Sequence, residues 1–368
     1  MKFSCDKYVL QQAAASAARA AAAKSPIPTL EGLLIEAGAS VRITGYDLKK
    51  AIYTTIDADI PEPGSVLIGA RLFCEMLRRM PDGIVTVEAE NGTVSVKCGK
   101  AAFNLVGLSA DDYPDLPVVE AENGVSLPQD LLKKMINECS FAVSTNESRP
   151  VYMGTLFEIE NNVLTMVSVD GYRLALRRYL PEQSLERTLK FVAPAAALKE
   201  VEKILGDTED PATFYPGSKH ILFTIGDATL VCRILEGEFL DWRRVLPQNN
   251  PVKLVGNVSR LTDSIERVGL VISEKLKSPV RCKFGDNSAE FRTISTIGEA
   301  YDVCPIAGDG KDLEIGFNCK YLLDALRAVP DSECTLEMIN GLSPIVLNPT
   351  EGNRYSYMVL PVRLKAGE

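Results

Sequence analysis

"SVLIGARLFCEMLRRMPDGIVTVEAENGTVSVKCGKAAFNLVGLSADDYPDL", residues 65–116, decides the fold, because its pattern returns twice further along the chain. The later copies occupy residues 189–242, which begin LKFVAPAAALKEV, and residues 312–362, which begin DLEIGFNCKYLLDAL. Each copy has the pattern of a short strand, a helix and then further strands separated by turns. The copies start 189 − 65 = 124 and 312 − 189 = 123 residues apart. That spacing is too long for a solenoid repeat and suits a whole domain.

The repeat extends upstream of these three segments. An amphipathic stretch opens each third of the chain, at residues 6–23, 128–139 and 258–272, and a hairpin-like region follows each one. Ser126 with Pro128 offers a start signal for the second helix, and Asn257 or Ser259 offers one for the third. Asp47 and Asp170 fall at matched places in the hairpins, since 170 − 47 = 123.

Two helices and about eight short strands in each third predict an α+β fold of three similar domains. We expect the helices to lie together and to pack against antiparallel sheets. The linkers DDYPDLPVVEAENG and EFLDWRRVLPQNNP are rich in turn-forming residues. They place the expected domains at residues 1–120, 121–249 and 250–368.

Composition narrows the class of protein. The chain has 368 residues and an ordinary apolar content of 46%, and it carries no apolar run of the roughly 18 residues that a membrane helix needs. Its Ala-rich start lacks the centre of a signal peptide, so we expect a cytoplasmic protein. Nine isolated cysteines and a single histidine, His220, predict neither a disulfide framework nor a metal site, and no cofactor motif is present.

Charge leaves two interpretations open. A net charge of −9 argues against nucleic acid, which needs clustered cations. Each of the six predicted helices nevertheless carries at least two Lys or Arg residues, interspersed with acids. The helices therefore present either ordinary solvated faces or a weakly positive surface that meets phosphates without reading bases.

Two motifs stand out locally. SVDGYRLAL, residues 168–176, is either a tight hairpin turn or a site in which Asp170 serves as a base and Arg173 binds an anion. YSYMVLPVRL, residues 355–364, is an apolar strand in which Pro361 predicts an edge position. An apolar edge near the end of the chain is a plausible partner site. His220 follows a turn, and we expect it at the surface.

The motifs together resemble a known family. SADDYPDLP at 109–117, DGYRLAL at 170–176, RRVLP at 243–247, EIGFNCKYLLDAL at 314–326 and YMVLPVRL at 357–364 occur in the order typical of the bacterial sliding clamp. That protein is the beta subunit of the replicative DNA polymerase III, and the resemblance covers the whole chain. It implies a non-catalytic processivity factor whose head-to-tail homodimer closes a ring around duplex DNA.

The resemblance also implies functional residues. The dimer interface would join the strand AAFNLVGL, with Phe103, Leu105 and Leu108, to the helix end at Val271 and Ile272. Double-stranded DNA would be held topologically, without sequence preference, with Lys24 and Arg149 in contact with it. A pocket for short peptides of the polymerase, the clamp loader and repair proteins would be formed by Tyr152, Val169, Gly171, Tyr172, Arg173, Leu174, Pro247, Met358, Val359, Leu360, Pro361, Val362 and Arg363.

The chain departs from the family at two of these positions. Tyr152 stands where many members have leucine, and Tyr172 where some have histidine, so the preferred peptide would differ in detail. Two other hypotheses remain open from the residues alone. One is a hydrolase that uses Asp170 and Arg173, and the other is a peptide-binding scaffold that never contacts nucleic acid.

Overall fold

A computed structural model describes residues 1–181, 188–272 and 278–364. The chain divides into two compact units, Met1–Lys133 with Ala196–Ile234, and Lys134–Ala195 with Leu235–Glu368. The helices of the described residues are α1 (Lys7–Ala18), α2 (Ala70–Arg79), α3 (Gln129–Ser140), α4 (Ala195–Ile204), α5 (Trp242–Val245), α6 (Val258–Gly269) and α7 (Cys319–Arg327). Short 3-10 helices lie at Pro28–Glu31 and Pro150–Met153.

The strands follow the repeat. The first third holds β1 (Lys2–Asp6), β2 (Gly32–Ala37), β3 (Val41–Tyr46), β4 (Lys50–Ile56), β5 (Asp59–Glu62), β6 (Gly64–Gly69), β7 (Ile84–Glu90), β8 (Thr93–Cys98) and β9 (Ala101–Val106). The second holds β10 (Val125–Pro128), β11 (Gly154–Glu160), β12 (Val163–Val169), β13 (Arg173–Tyr179), β14 (Leu189–Pro194), β15 (Pro211–Pro216), β16 (His220–Ile225) and β17 (Ala228–Arg233). The third holds β18 (Val252–Asn257), β19 (Val280–Ser295), β20 (Gly298–Phe317), β21 (Glu333–Met338), β22 (Ile345–Asn348) and β23 (Tyr355–Val359). The predicted α+β class is confirmed.

Helix starts follow local capping, with one correction. Asp6 caps α1 through its side chain, which accepts from Tyr8 N at 2.8 Å, and Asn257 caps α6 by accepting from Arg260 N at 3.1 Å. The predicted serine cap is wrong, because Ser126 and Pro128 belong to β10, although α3 does begin directly after them at Gln129. Tertiary pairing with β15 takes up the stretch that local sequence marked as a cap.

The first unit contains two antiparallel sheets. One has the order β5-β1-β7-β8-β9, and the other has the order β10-β15-β16-β17-β4-β3-β2-β6. In the second sheet β4 pairs with β17, with Leu230 opposite Ile52. Strands from the first and the second repeat therefore form one sheet. Helix α1 lies directly on β3, because a Cβ at Gly45 would come within 2.1 Å of the Ala17 carbonyl oxygen.

The second unit contains one ten-stranded sheet, with the order β14-β11-β12-β13-β23-β22-β21-β18-β20-β19. Here β13 of the second third pairs with β23 of the last third, with Leu174 opposite Met358. The third repeat departs from the predicted short strands, because β19 spans 16 residues and β20 spans 20, with register shifts near Asp286.

The predicted edge position of the C-terminal strand is wrong. β23 is central, since it pairs with β13 on one side and β22 on the other. Pro361 lies beyond the strand, where the chain leaves the sheet and Leu360 N and Val362 N donate to other segments. The proline therefore costs the ladder no hydrogen bond.

The matched aspartates confirm the repeat in detail. Asp47 Oδ1 accepts from Lys50 N at 2.8 Å, and its other oxygen lies 2.5 Å from Lys50 Nζ. Asp170 Oδ1 accepts from Arg173 N at 3.0 Å, and its other oxygen accepts from Arg173 Nε at 2.9 Å. Both hairpins thus close with the same aspartate turn, and in both the aspartate pairs with a cation three residues further on, Lys50 in one and Arg173 in the other.

Candidate partner-binding groove

Predicted groove residues from distant parts of the chain share one apolar cluster. Val169 ends β12, Leu174 lies in β13 and Met358 lies in β23, and all three are buried in the cluster. Tyr152 and Leu360 are partly buried and pack against it. Met358 stands opposite Leu174 on one side and opposite Val346 of β22 on the other, so three adjacent strands form the floor.

The cluster also contains residues that the sequence did not predict. They are Val151, Leu156, Val167, Leu176, Val192, Leu235, Phe239, Leu240, Trp242, Leu246 and Val346. The Tyr152 ring meets the Phe239 ring edge to face, with centroids 5.4 Å apart. The three- and four-residue spacing of Phe239, Trp242 and Leu246 in the second linker is a helical signal that could have indicated α5. Pro247 follows Leu246 and is half-buried.

The turn at residues 170–173 forms one rim of the groove. Asp170 Oδ1 accepts from Tyr172 N at 2.9 Å and holds the turn closed. Gly171 has φ +92°, and a Cβ there would meet no atom within 4 Å. The turn therefore needs glycine for its backbone conformation rather than for space, and it leaves the surface above it open.

Arg173 is fixed within the protein and does not present a free guanidinium. It is only 8% exposed. Its Nε donates to Asp170 and its Nη1 donates to Asp324 Oδ2 of α7 at 2.6 Å. The guanidinium carbon also lies 4.4 Å from the centre of the Tyr321 ring. Two carboxylates and an aromatic face thus occupy the side chain that the hydrolase hypothesis assigned to anion binding.

Tyrosines continue this rim. Tyr172 is 61% exposed and stacks on Tyr321, with ring centroids 5.8 Å apart. Burial, with Asp170 as the next cause, raises the pKa of Tyr321 above its ordinary value. The hydroxyl of Tyr321 therefore stays protonated at neutral pH, and the two stacked rings give the rim an aromatic surface.

The C-terminal segment lies beside this turn and is bonded to it. Leu360 N donates to the Tyr172 carbonyl at 2.8 Å, and Val362 N donates to the Gly316 carbonyl at 2.8 Å. Val359 is buried, Pro361 is half-buried, and Val362 and Arg363 are exposed. An apolar floor therefore lies beside two backbone segments that are tied to each other.

The predicted DNA-contacting residues lie outside this groove. Lys24 and Arg149 are exposed in loops, and Arg149 precedes the 3-10 helix Pro150–Met153. Many of the helix cations are paired, as with Lys133 and Asp207 at 2.9 Å. Within the described ranges, ion pairs are absent at Lys24, Arg71, Arg149, Lys199, Arg260 and Lys320.

The predicted interface residues belong to two separate places. β9 is an edge strand on which Phe103 is 41% exposed, Leu105 packs against the core, and Leu108 just beyond it is 48% exposed. Val271 and Ile272 follow α6 and are half-buried. The chain beyond them, residues 273–277, lies outside the described residues.

The described residues offer no metal site, disulfide or membrane-spanning helix. No cluster of three or more His, Cys, Asp or Glu side chains there could hold a metal ion. All nine cysteines are free thiols, and seven of them are buried. None of the described helices has the length and apolar character needed to cross a membrane.

Repeated helices on antiparallel sheets, with an apolar groove beside the turn at residues 170–173, define a three-domain α+β protein. Sequence models of the DNA polymerase III beta subunit match the chain at residues 1–117 for its N-terminal domain, 126–241 for its central domain and 243–363 for its C-terminal domain. The chain belongs to this family, the bacterial beta sliding clamps.

Individual relatives agree along the whole length. The chain is 30% identical to the beta sliding clamp of Bacillus subtilis, over 99% of this chain and 100% of that protein. It is 31% identical to the beta sliding clamp of Staphylococcus aureus, over 94% of each. Among solved structures, a protein described as a DNA polymerase III beta subunit from Eubacterium rectale superposes with a TM-score of 0.95 at 33% identity, covering 99% of this chain and 100% of that one. The Bacillus subtilis sliding clamp gives 0.95 at 30% identity, with the same coverage.

Proposed function

We propose that this protein is a processivity clamp that encircles duplex DNA and tethers the replicative polymerase and other proteins, without catalysing a reaction. The observation that carries the proposal is the apolar groove of Leu174, Met358 and Val346 beside the rigid turn, in a chain that matches sliding clamps throughout. The proposal includes domain boundaries near residues 120 and 249. It also includes a location in the cytoplasm, where bacterial chromosomes are copied.

The ring would close by head-to-tail pairing of two chains. The edge strand β9 presents Phe103 and, at 80% exposure, Val106. β19 is an edge strand of the second unit, and Leu270 and Ile297 are 81% and 67% exposed in the same repeat. Unpaired strand edges with apolar side chains tend to be covered by another chain, and one such edge in each unit suits a heterologous contact that closes by rotation.

Light scattering after gel filtration tests the dimer. The wild-type chain should elute with twice its 40.1 kDa mass. Phe103→Asp should shift the population to monomer, because a charge would be buried in the contact. Ile84→Asp is the matched control, since Ile84 is an apolar residue 62% exposed on the same sheet but away from its edge. A wild-type monomer at every concentration would contradict the ring.

The peptide groove is tested by calorimetry with a short peptide from the polymerase. Two or three anchoring side chains, at roughly 1.5–3 kcal/mol each before association costs, lead us to expect an affinity near micromolar. Leu360→Ala should weaken binding about tenfold, since one apolar wall is removed. Val303→Ala, at a residue 46% exposed in β20, is the control. Equal affinities for the two variants would argue against the groove. Peptides of the clamp loader and repair proteins should compete for it.

DNA contact would be topological and weak. Lys24 and Arg149 are exposed cations without an ion pair among the described residues, so they are free to meet phosphates. Clamps loaded on nicked circular DNA should be retained and should be released when the circle is cut, whereas a scaffold that avoids DNA would not be retained. The double variant Lys24→Glu, Arg149→Glu should bind DNA with a weaker dependence on salt concentration. The decrease in slope should correspond to the loss of about two phosphate contacts.

The hydrolase hypothesis has its own test. The carboxylate oxygens of Asp170 accept hydrogen bonds from Tyr172 N, Arg173 N and Arg173 Nε, all within its own turn. Asp170→Asn should therefore loosen the rim and weaken peptide binding without abolishing any turnover. A hydrolytic activity that disappears in this variant would overturn the non-catalytic assignment.

A further inference from the structure

The turn at residues 170–173 contacts helix α7 at two points. Arg173 Nη1 donates to Asp324 Oδ2 of the helix at 2.6 Å. Tyr172 stacks on Tyr321 of the same helix, with ring centroids 5.8 Å apart. Tyr321 and Asp324 are three residues apart, so they project from one face of α7. The helix therefore supports the turn through one charged contact and one aromatic contact.

Helix α7 is held in place independently of the turn. Asn318 caps its first turn by accepting from Tyr321 N at 3.2 Å. On its other face Leu322, Ala325 and Leu326 are buried. The cap and the buried face fix the helix, so Asp324 offers Arg173 a carboxylate in a defined position.

The first unit contains a matched turn and a matched helix. Lys50 and Arg173 are 173 − 50 = 123 residues apart, and each pairs with the aspartate three residues before it. Helices α4 and α7 start 319 − 195 = 124 residues apart. Buried Leu198 of α4 corresponds to buried Leu322 of α7. The first unit therefore shows how much of the arrangement the fold itself requires.

The charged contact with the helix is missing from the matched turn. Glu200 of α4 takes the position of Asp324, since 324 − 200 = 124. Its oxygens lie 3.8 Å from Arg19 Nη1 and 2.9 Å from Lys203 Nζ. Lys50 pairs with the aspartate of its own turn and, within the described part of the chain, with no other carboxylate. This turn is therefore not tied to α4 by an ion pair.

The aromatic contact has no counterpart in the first unit either. Lys49 takes the position of Tyr172, and Ala197 takes the position of Tyr321. The Asp47 side chain closes that turn by itself, because it accepts from two backbone N–H groups at 2.9 Å and 2.8 Å. A turn of this kind thus forms without support from a helix. The two contacts of α7 therefore serve something other than closing the turn.

We propose that Asp324 is a positioning residue for the peptide groove. Through Arg173 it fixes the turn at residues 170–173, and with the turn it fixes the rim that a docked peptide contacts. The same turn holds the C-terminal segment, since Leu360 N donates to the Tyr172 carbonyl at 2.8 Å. The inference rests on the proposed peptide-binding function and adds to it a residue on α7.

Calorimetry with the polymerase peptide gives the first test. Asp324→Asn keeps the shape of the side chain and removes its charge, and it should bind the peptide about fivefold more weakly than wild type. Asp302→Asn is the matched control. Asp302 also pairs with an arginine, Arg267, at 2.6 Å, and its side chain is 25% exposed against 22% for Asp324. The control breaks an equivalent ion pair away from the turn and should keep its affinity within about twofold of wild type.

Amide hydrogen exchange of the free protein gives a second test that needs no peptide. Tyr172 N donates to Asp170 within the turn, and Leu360 N donates to the turn from outside. In Asp324→Asn both amides should exchange about tenfold faster, whereas the amide of Val167 in β12 should keep its rate. A role in overall stability alone would raise the exchange rates of all three amides together.

Unchanged exchange at the turn would overturn the proposal, and so would a peptide affinity equal to that of Asp302→Asn. A wild-type chain that binds no peptide would refute the proposed function, and the exchange rates would still decide whether Asp324 fixes the turn. If Asp324→Asn does not fold, as judged by Trp242 fluorescence, Arg173→Lys takes its place. The first unit shows that lysine closes this turn without a tie to the helix, so Arg173→Lys should give the same exchange pattern.

Discussion

Replacing Arg173 by Met should destabilise the second unit strongly. The change keeps the length of the side chain and removes its charge. In the folded protein Arg173 is held by Asp170 and Asp324 at 2.9 Å and 2.6 Å and lies over Tyr321. The variant leaves both carboxylates in place without their shared cation, and Asp324 loses the contact that ties α7 to the β12–β13 turn.

The size of the loss follows from burial. Breaking a well-buried ion pair costs about 3–5 kcal/mol, most of it from the charge left behind. The side chains of Asp170 and Asp324 are 12% and 22% exposed, so water partly compensates them. We therefore expect the lower end, a decrease of about 3 kcal/mol in the free energy of unfolding. This corresponds to a urea midpoint lowered by about 1 M.

The assay uses the single tryptophan of the chain. Trp242 is 6% exposed and lies in the apolar cluster of the groove, so its fluorescence reports unfolding of the second unit. Lys50→Met is the matched control, because Lys50 forms the equivalent pair with Asp47 in the first unit. It should leave the tryptophan transition in place. A midpoint for Arg173→Met within about 0.3 M of wild type would refute the reasoning.

Further predictions concern single side chains. Burial raises the pKa of Cys74 and Cys319 to about 11, so at pH 8 the folded chain should react with Ellman's reagent on the order of 100-fold more slowly than free cysteine; fast labelling would contradict this. Burial and neighbouring cations lower the pKa of His220, so its NMR titration midpoint should fall below the usual range. The stability that the neutral imidazole contributes is complete above the unfolded pKa of about 6.5 and should be lost as the pH falls below it. Gly171→Ala should cost about 1–2 kcal/mol of stability through its positive φ. Gly45→Ala should cost about 3 kcal/mol through collision with the Ala17 backbone, and calorimetric melting that reversed this order would be inconsistent with the geometry.

Features with a local cause could be predicted from the sequence. The repeat shows in the order of apolar runs and turns, and the matched positions of Asp47 and Asp170 correspond to two equivalent ion-paired turns. Val169, Leu174 and Met358, assigned by resemblance, lie in one cluster. Asn257 caps its helix as its position indicates.

Features that depend on distant segments could not be predicted. The pairing of β13 with β23 joins residues about 180 positions apart, and no local pattern marks it, so Pro361 suggested an edge that the sheet does not have there. The same holds for Val346, which reaches the groove only through the strand order. Arg173 resembles a free anion-binding group until Asp324 of α7 is placed beside it.

The pairing of β4 with β17 and of β13 with β23 makes the chain difficult to dissect. A recombinant fragment that ends at either repeat boundary would carry half of a shared sheet and expose a cut central strand. Such a strand has a row of unpaired amides and carbonyls and is prone to aggregate. The repeats are therefore not independent folding units, because each shares a sheet with its neighbour. Insertions should be tolerated in surface turns rather than at the repeat boundaries.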